Sequence, residues 1–336
     1  MSGDQQRVTI EDVAQQAGVS IATVSRVMNG TGTVAATTAV RVHQAITDLN
    51  YIPHAAARGL ARQRTQTLGL VLPQISDTFF SALLRGMETV AREHEYALLI
   101  YTMQGRNPNQ PPPLGQHNTD GLMVFTDGLS EAALRHLHSQ HFPLVLLHQS
   151  PPQGLDIPCV TFENKTGAYA VVSHLIGLGH RRIAFLAGPS GNEDSFWREK
   201  GYREAMADHD LVVAEELVGV GGFDEAVAAT AVSQWLQQGL DIDAIFAADD
   251  ESARGVMQAI QKANLRIPQD IALAGFDDSL LSRYLTPPLT TVHAPIEEAG
   301  RVATEKLIGL INDESVELLT LLPTELVIRR SCGANS

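Results

Sequence analysis

The chain has 336 residues, enough for two or three domains, and 44% hydrophobic with only 18% charged residues excludes a disordered polyelectrolyte. No apolar run approaches the ~18 residues of a membrane-spanning helix, residues 1–7 lack the apolar core of a secretory signal, and two distant cysteines, Cys159 and Cys332, exclude a disulfide framework or a cysteine zinc site. A cytoplasmic protein without metal or cofactor is expected; His136, His138 and His141 read as part of a polar helix face. The net charge of −14 conceals an asymmetry, because residues 1–65 carry +2 and the remainder −16. An acidic body repels phosphate, so contact with nucleic acid has to be confined to the mildly basic head.

In the head, Ile10, Val13, Ala14 and Ala17 recur at the spacing of one helix face, and Gly18 stops that helix. Ser20 is placed to cap a second helix whose apolar side is Val24, Val27 and Met28. Its opposite stripe, Ala22, Ser25, Arg26 and Asn29, is slim and able to hydrogen-bond, as entry into a major groove requires. Asn29-Gly-Thr-Gly32 ends it, and Val42, Ala45, Ile46 and Leu49 define a third helix. Two short helices joined through Gly-Val-Ser, with a third completing the core, describe a helix-turn-helix.

Val8-Thr-Ile-Glu-Asp-Val-Ala-Gln-Gln-Ala-Gly-Val-Ser-Ile-Ala-Thr-Val-Ser-Arg-Val-Met-Asn-Gly30 closely resembles the head of LacI/GalR-type bacterial repressors, and Leu49-Asn-Tyr-Ile-Pro-His-Ala-Ala-Ala-Arg-Gly-Leu60 resembles the same family's hinge. The resemblance implies base readers at Ile21, Ala22 and Arg26. Arg26 is able to pair with a guanine edge or, on the alternative reading, to contact a phosphate. Thr23, Ser25, Asn29 and His54 would touch phosphate or sugar. Ala57 belongs to a small-residue segment able to lie against a groove, and Leu60 takes the position that wedges into the minor groove, unless it is a linker residue packed on the body. A seven-residue hinge helix is marginal alone and is expected to order on DNA.

From residue 66 onward, short apolar runs alternate with amphipathic stretches. Leu68–Leu72, Ala97–Ile100, Leu122–Phe125, Leu144–Leu147, Ile183–Leu186, Ala244–Ala247 and Ile271–Ala274 do not alternate in polarity. Such runs indicate strands buried on both faces of parallel sheets, in two series that separate near residues 160–165. Ligands of doubly wound sheets bind outside the carboxyl ends of the strands.

Leu178-Gly-His-Arg-Arg-Ile-Ala-Phe185, Arg198-Glu-Lys-Gly-Tyr202, Ile267-Pro-Gln-Asp-Ile271, Gly275-Phe-Asp-Asp278 and Pro287-Pro-Leu-Thr-Thr291 extend the resemblance to the family's body, which shares the periplasmic sugar-binding fold. The implied organisation is a helix-turn-helix domain at 1–51, a hinge helix and linker at 52–65, and an effector-binding body of two doubly wound parallel α/β lobes at 66–336. Lobe 1 would take about 66–164 plus 294–323, and lobe 2 about 165–293 plus 324–336.

The implied effector contacts are Asp77, Phe79, Phe80, His148, Trp197, Arg198, Phe223, Asp250 and Asp277. Carboxylates with aromatic rings suit a polyol, whose faces stack on rings while hydroxyls donate to acids, and Arg198 would supply a donor fork. Plainer readings stand beside several of these. One of Phe79 and Phe80 is readable as lobe core, Asp249 or Asp250 as the cap of a helix near Ser252, and Trp197 as a surface or core aromatic. Three departures bear on the effector: three consecutive prolines within 105–115 leave no room for the usual helix, His148 stands where an Asp is usual, and Glu163-Asn164 replaces Asp-Asn.

The function implied is a sequence-specific DNA-binding regulator, a repressor, acting as a homodimer on operator DNA under control of a sugar or sugar derivative. A nucleoside or purine effector, or a sugar-binding module without a regulatory role, are the alternatives. Catalysis is not expected, since adjacent Asp249/Asp250 and Asp277/Asp278 lack a partnered nucleophile.

Overall fold

A computed structural model describes residues 8–29, 32–51, 64–75, 78–103, 112–126 and 128–334. The chain divides into two compact units, 1–66 and 67–336.

The first unit is built on three short helices, α1 (Ile10–Ala17), α2 (Ile21–Asn29) and α3 (Ala36–Asp48). Thr9 and Asp12 form a reciprocal capping box on α1, with Thr9 N donating to Asp12 Oδ2 at 2.8 Å. Gly18 closes the helix at φ 63°, a left-handed position that glycine adopts without a Cβ penalty. Ser20 Oγ then accepts from Thr23 N at 3.2 Å and starts α2. Helices this short hold only by packing; Val13, Ala14, Ala17, Val24, Val42 and Ala45 are buried together.

The second unit has two parallel sheets. The first contains β1 (Thr67–Leu72), β2 (Ala97–Thr102), β3 (Gly121–Phe125), β4 (Leu144–Leu147), β5 (Cys159–Phe162) and β11 (Leu319–Leu322). Their order is β11-β5-β4-β3-β1-β2. The second contains β6 (Ile183–Ala187), β7 (Val218–Val220), β8 (Ala244–Ala247) and β9 (Ala272–Ala274) in the order β7-β6-β8-β9. Helices α4 (Thr78–Glu93), α5 (Glu131–Ser139) and α10 (Ile296–Ile311) belong to the first lobe. The second lobe holds α6 (Asn164–Gly177), α7 (Glu193–Asp208), α8 (Glu225–Gln237) and α9 (Asp250–Lys262).

Most of the apolar runs are buried strands, β3, β4 and β8 along their full length. Ala97–Ile100 is the exception. It lies in β2 at the open edge of the first sheet, with Leu99 and Ile100 37% and 39% exposed. Strand order put it there, and an apolar run carries no record of strand order.

The chain passes between the lobes three times: from β5 into α6, from β10 (Thr291–His293) into α10, and from β11 into β12 (Glu325–Val327). β10 and β12 pair antiparallel, so two of the crossings brace one another. The Pro-rich stretch 105–115 falls largely outside the described residues.

Two glycines set the closest helix contact of the first lobe. A Cβ on Gly86 of α4 would collide with the carbonyl of Glu297, and one on Gly300 of α10 with the carbonyl of Leu83. Backbone atoms cannot yield as a flexible side chain does, so Gly300→Ala should destabilise the body by about 1–3 kcal/mol in urea unfolding. Gly177→Ala, at the open end of α6 where a Cβ meets nothing within 4 Å, should instead be neutral to stabilising by up to about 1 kcal/mol. A Gly300→Ala protein as stable as wild type would refute the close contact.

Candidate DNA-reading helix and inter-lobe cleft

In the first unit, α2 buries Val24 and leaves Ile21, Ala22 and Arg26 exposed. Ile21 is an apolar side chain 45% open to water, an arrangement that suits contact with a methyl group on a groove floor. Thr23 and Ser25 are half-buried, and Thr23 Oγ1 lies 2.9 Å from Ser20 Oγ, so its hydroxyl also serves the helix start. Asn29 is the last residue of α2, with its side chain outside the described residues; His54, Ala57 and Leu60 also lie outside them.

In the second unit, a cavity of about 690 Å³ opens where the strands of both sheets end. Lobe 1 contributes Gln74, Phe79, Phe80, Phe125 and Thr126; lobe 2 contributes Asp194, Arg198, Phe223, Asp249, Asp250 and Asp277. Most of these follow strand ends or begin helices, because in parallel sheets every carboxyl end points the same way, while Phe125 ends β3 and Arg198 lies in the second turn of α7. Phe79 meets Phe80 and Phe125 edge-on at centroid distances of 5.4 and 5.8 Å. Phe80 is buried in the lobe core behind it, while Phe79 is only half-buried. Asp77 lies outside the described residues.

Arg198 is the hub of the lobe-2 wall and is 2% exposed. Its Nε donates to Asn164 Oδ1 at 2.8 Å and its Nη1 to the carbonyl of Ala248 at 2.5 Å. Nη2 stands 3.3 Å from Asp277 Oδ1 and 4.0 Å from Asp194 Oδ2. The guanidinium lies over the Phe276 ring at 3.8 Å, with Phe223 at 5.7 Å. Phe223 reaches the cavity from a turn at φ 57° and covers Gly188, where a Cβ would strike its ring.

The acids around Arg198 differ in what they face. Asp194 takes a hydrogen bond from Asn164 Nδ2 at 2.8 Å and one from Thr161 Oγ1 at 3.1 Å, and lies 2.8 Å from His148 Nδ1. Burial pushes its carboxyl up, but His148 and Arg198 outweigh that and hold it below the usual range. Asp249 caps α9, accepting from Ser252 N at 3.1 Å, and burial raises it to about 6. Asp250 accepts from Ser279 N and Thr291 Oγ1, both at 2.7 Å, and burial raises it to about 7. Asp277, at φ 105°, is raised well above the carboxylate range by burial, with Asp249 and Asp250 adding to the effect against Arg198, and its Oδ1 accepts no hydrogen bond.

Two expected contacts stand elsewhere. Trp197 is 46% exposed, lies edge-on to Phe196 and does not line the cavity. Successive helix residues are rotated by about 100°, so Arg198 facing inward turns its neighbour outward, whereas Asp194, four residues back, shares its face. His148 is buried behind the cavity among Phe79, Phe125 and Phe162, where it holds Asp194 from the opposite lobe. Asp250 lines the cavity, yet both its oxygens serve the Ser279 loop and β10. The sequence reading missed Asn164, Thr161 and Asp194; the i, i+4 spacing of Asp194 and Arg198 was the available signal.

A helix-turn-helix with an open reading face, carried on the same chain as a two-lobed body with a polar cleft, defines a ligand-responsive DNA-binding regulator. Residues 9–54 match the model of bacterial regulatory proteins of the lacI family, and residues 172–332 match a periplasmic binding protein-like domain. The chain is 34% identical over 325 residues to the HTH-type transcriptional regulator GalR of Escherichia coli strain K12, covering 96% of this chain and 94% of that one. Among solved structures it is similar to a lac repressor dimer bound to operator and an anti-inducer, at 27% identity and TM-score 0.86, covering 98% of this chain and 100% of that one. It is also similar to a transcriptional regulator CelR–cellobiose complex, at 31% identity and TM-score 0.72, covering 97% and 100%. The chain belongs to the lacI family of bacterial regulatory proteins and is a transcription regulator. Among the described residues, no helix is long and apolar enough to cross a membrane.

A carboxyl raised by folding binds its proton more tightly in the native state, so its contribution to stability falls as pH rises from the unfolded value of 3.8 through the folded one. Asp194 has the opposite sign but acts only below 3.8, and His174, lowered by burial, costs stability below 6.5. Comparing wild type with Asp250→Asn removes those shared contributions. The difference in Tm should move in favour of the variant by a few degrees between about pH 5 and about pH 8. A difference that does not change with pH would show that Asp250 is not raised.

Proposed function

We propose that this protein represses transcription as a cytoplasmic homodimer on a near-palindromic operator, and that a sugar or sugar derivative in the inter-lobe cleft controls its DNA affinity. The observation that carries the effector half is the Asp277–Arg198 pair beside Phe79 in a cavity large enough for a mono- or disaccharide. A ring face stacks on Phe79 or Phe223, hydroxyls donate to Asp277, and Arg198 donates to ring or hydroxyl oxygens. The relative bound to cellobiose and the relative bound to operator support the two halves of the reading. The buried acids act here as binding groups, not as an acid–base pair.

On the DNA side, Ile21, Ala22 and Arg26 read bases; Thr23, Ser25, Asn29 and His54 position the head on phosphate and sugar; Ala57 and Leu60 belong to the hinge in the minor groove. Two heads related by a two-fold axis take two half-sites. Control is linkage: a ligand that prefers one lobe arrangement shifts the population of the arrangement that holds DNA, by the difference of its affinities for the two.

The test is binding of the full chain to the DNA upstream of its own gene, titrated with a panel of mono- and disaccharides and nucleosides. One saccharide should dissolve or create the complex; an effect from nucleosides alone would replace the sugar reading with a purine or nucleoside one. Arg26→Ala should cost about 1–3 kcal/mol of operator affinity and relax preference at one base position. An unchanged preference would make Arg26 a phosphate contact. Asp277→Ala should bind operator normally and lose its response to the active saccharide, whereas a variant that responds as wild type removes Asp277 from the effector site.

A further inference from the structure

Four carboxyls, Asp194, Asp249, Asp250 and Asp277, are each at least nine-tenths buried around the lobe-2 wall of the cleft, against one buried guanidinium, Arg198. Asp194 also meets the His148 ring of the opposite lobe, 2.8 Å from Nδ1. The remaining arginines that line the cavity lie at its rim, and each already faces a carboxylate. Arg85 pairs with Glu297 at 3.0 Å, Arg301 with Glu298 at 3.3 Å, and Arg283 lies 3.8 Å from Asp278.

On the lobe-2 wall the backbone offers an anion no better place. Two helices of this wall start at the cavity, and helix N-termini are the ordinary sites for phosphate. The first turn of α7 carries Glu193 and Asp194, and that of α9 carries Asp250 and Glu251 behind the Asp249 cap. The protein's own carboxylates therefore occupy the positive ends of both helix dipoles. Meanwhile Asp277 Oδ1 is buried and accepts no hydrogen bond, with only the ion-pair approach of Arg198 Nη2 at 3.3 Å, so a ligand donor would satisfy it.

We propose that the cleft selects its effector by charge: it takes polyols that are neutral or carry an ammonium group, and rejects phosphorylated and carboxylated forms of the same skeleton. The inference rests on reading the cleft as a polyol site and narrows that reading to one class. Hydroxyl and ammonium groups bring the donors that the buried oxygens lack. A phosphate or carboxylate brings acceptors and a negative charge beside Asp194 and Asp249, into a low-dielectric wall whose one buried guanidinium is shared among four carboxyls.

The experiment is isothermal titration calorimetry of the full chain at near-neutral pH with matched sets. D-Glucose, D-galactose, D-ribose and cellobiose are each compared with available phosphate esters, uronates and 2-amino derivatives. Within any set that binds, the phosphate ester and uronate should be at least ~100-fold weaker than the neutral sugar, and the amino sugar at least its equal. Asp249→Asn removes one charge while keeping an equally good helix cap, and should narrow the gap between neutral sugar and phosphate ester by roughly 5-fold or more.

A phosphorylated or carboxylated member that binds more tightly than its neutral parent overturns the charge rule and leaves the polyol reading standing. A gap unchanged in Asp249→Asn, with neutral-sugar affinity intact, assigns the discrimination to shape and overturns the rule as well. Sets in which no member binds remove the polyol reading itself, and the charge rule with it.

Discussion

The guanidinium of Arg198 is the point on which the effector body depends. It is buried, its Nε and Nη1 donate to the start of α6 and the end of β8, and its Nη2 faces Asp277 in the loop after β9, with Asp194 one helical turn away on its own helix. Three segments far apart in sequence are thereby tied to one side chain at the carboxyl ends of the strands. Buried charge is costly unless paired, and breaking such a cluster by removing one partner typically costs about 3–5 kcal/mol. Here removal would leave several buried acids facing one another. The wall of the cleft is consequently a structural cluster as well as the proposed binding surface, and at Arg198 the two roles fall on one side chain.

The same cluster joins the lobes. Asp194 belongs to α7 of lobe 2, yet its oxygens meet His148 after β4 and Thr161 on β5, both in lobe 1. The only covalent links between lobes are the three crossings, two of them braced by the pairing of β10 with β12. A rotation of one lobe against the other must lengthen the His148–Asp194 contact or carry it along. A ligand that touches Asp277 and Arg198 acts next to that contact, which gives occupancy of the cleft a physical route to lobe geometry. Position 148 suits an imidazole, which pairs with Asp194, where a second carboxylate would repel.

The charge asymmetry along the chain has a counterpart within the body. Most acidic side chains are on the surface, where they are solvated and keep phosphate backbones away from everything but the head. A few are buried at the cleft, where they are not solvated, and burial rather than net charge sets their protonation. The pKa directions follow from that difference in surroundings. Asp270, exposed and held by Arg266, falls to about 2, while Asp250 in the cleft rises to about 7.

The sequence by itself determined the helix-turn-helix, because Gly18, Ser20 and the spacing of Val13, Ala17 and Val24 are local signals. Capping and turn chemistry depend on residues within a few positions of one another. It also marked seven strands of the two lobes through their unbroken apolar runs, all but β2 buried on both faces, while β5, β7 and β11 went unmarked. Arg198 and Asp277 were legible through their motifs, and Phe79 and Phe80 through their position after the first strand. Only the tertiary structure decided that Ala97–Ile100 is an open edge, that Trp197 faces solvent while Asp194 faces the cleft, and that His148 works across the lobes without reaching the cavity. Each of these turns on which elements become neighbours. Strand order, the rotation of a helix about its axis and a contact spanning 46 residues are fixed by packing between distant segments, and no local pattern encodes them.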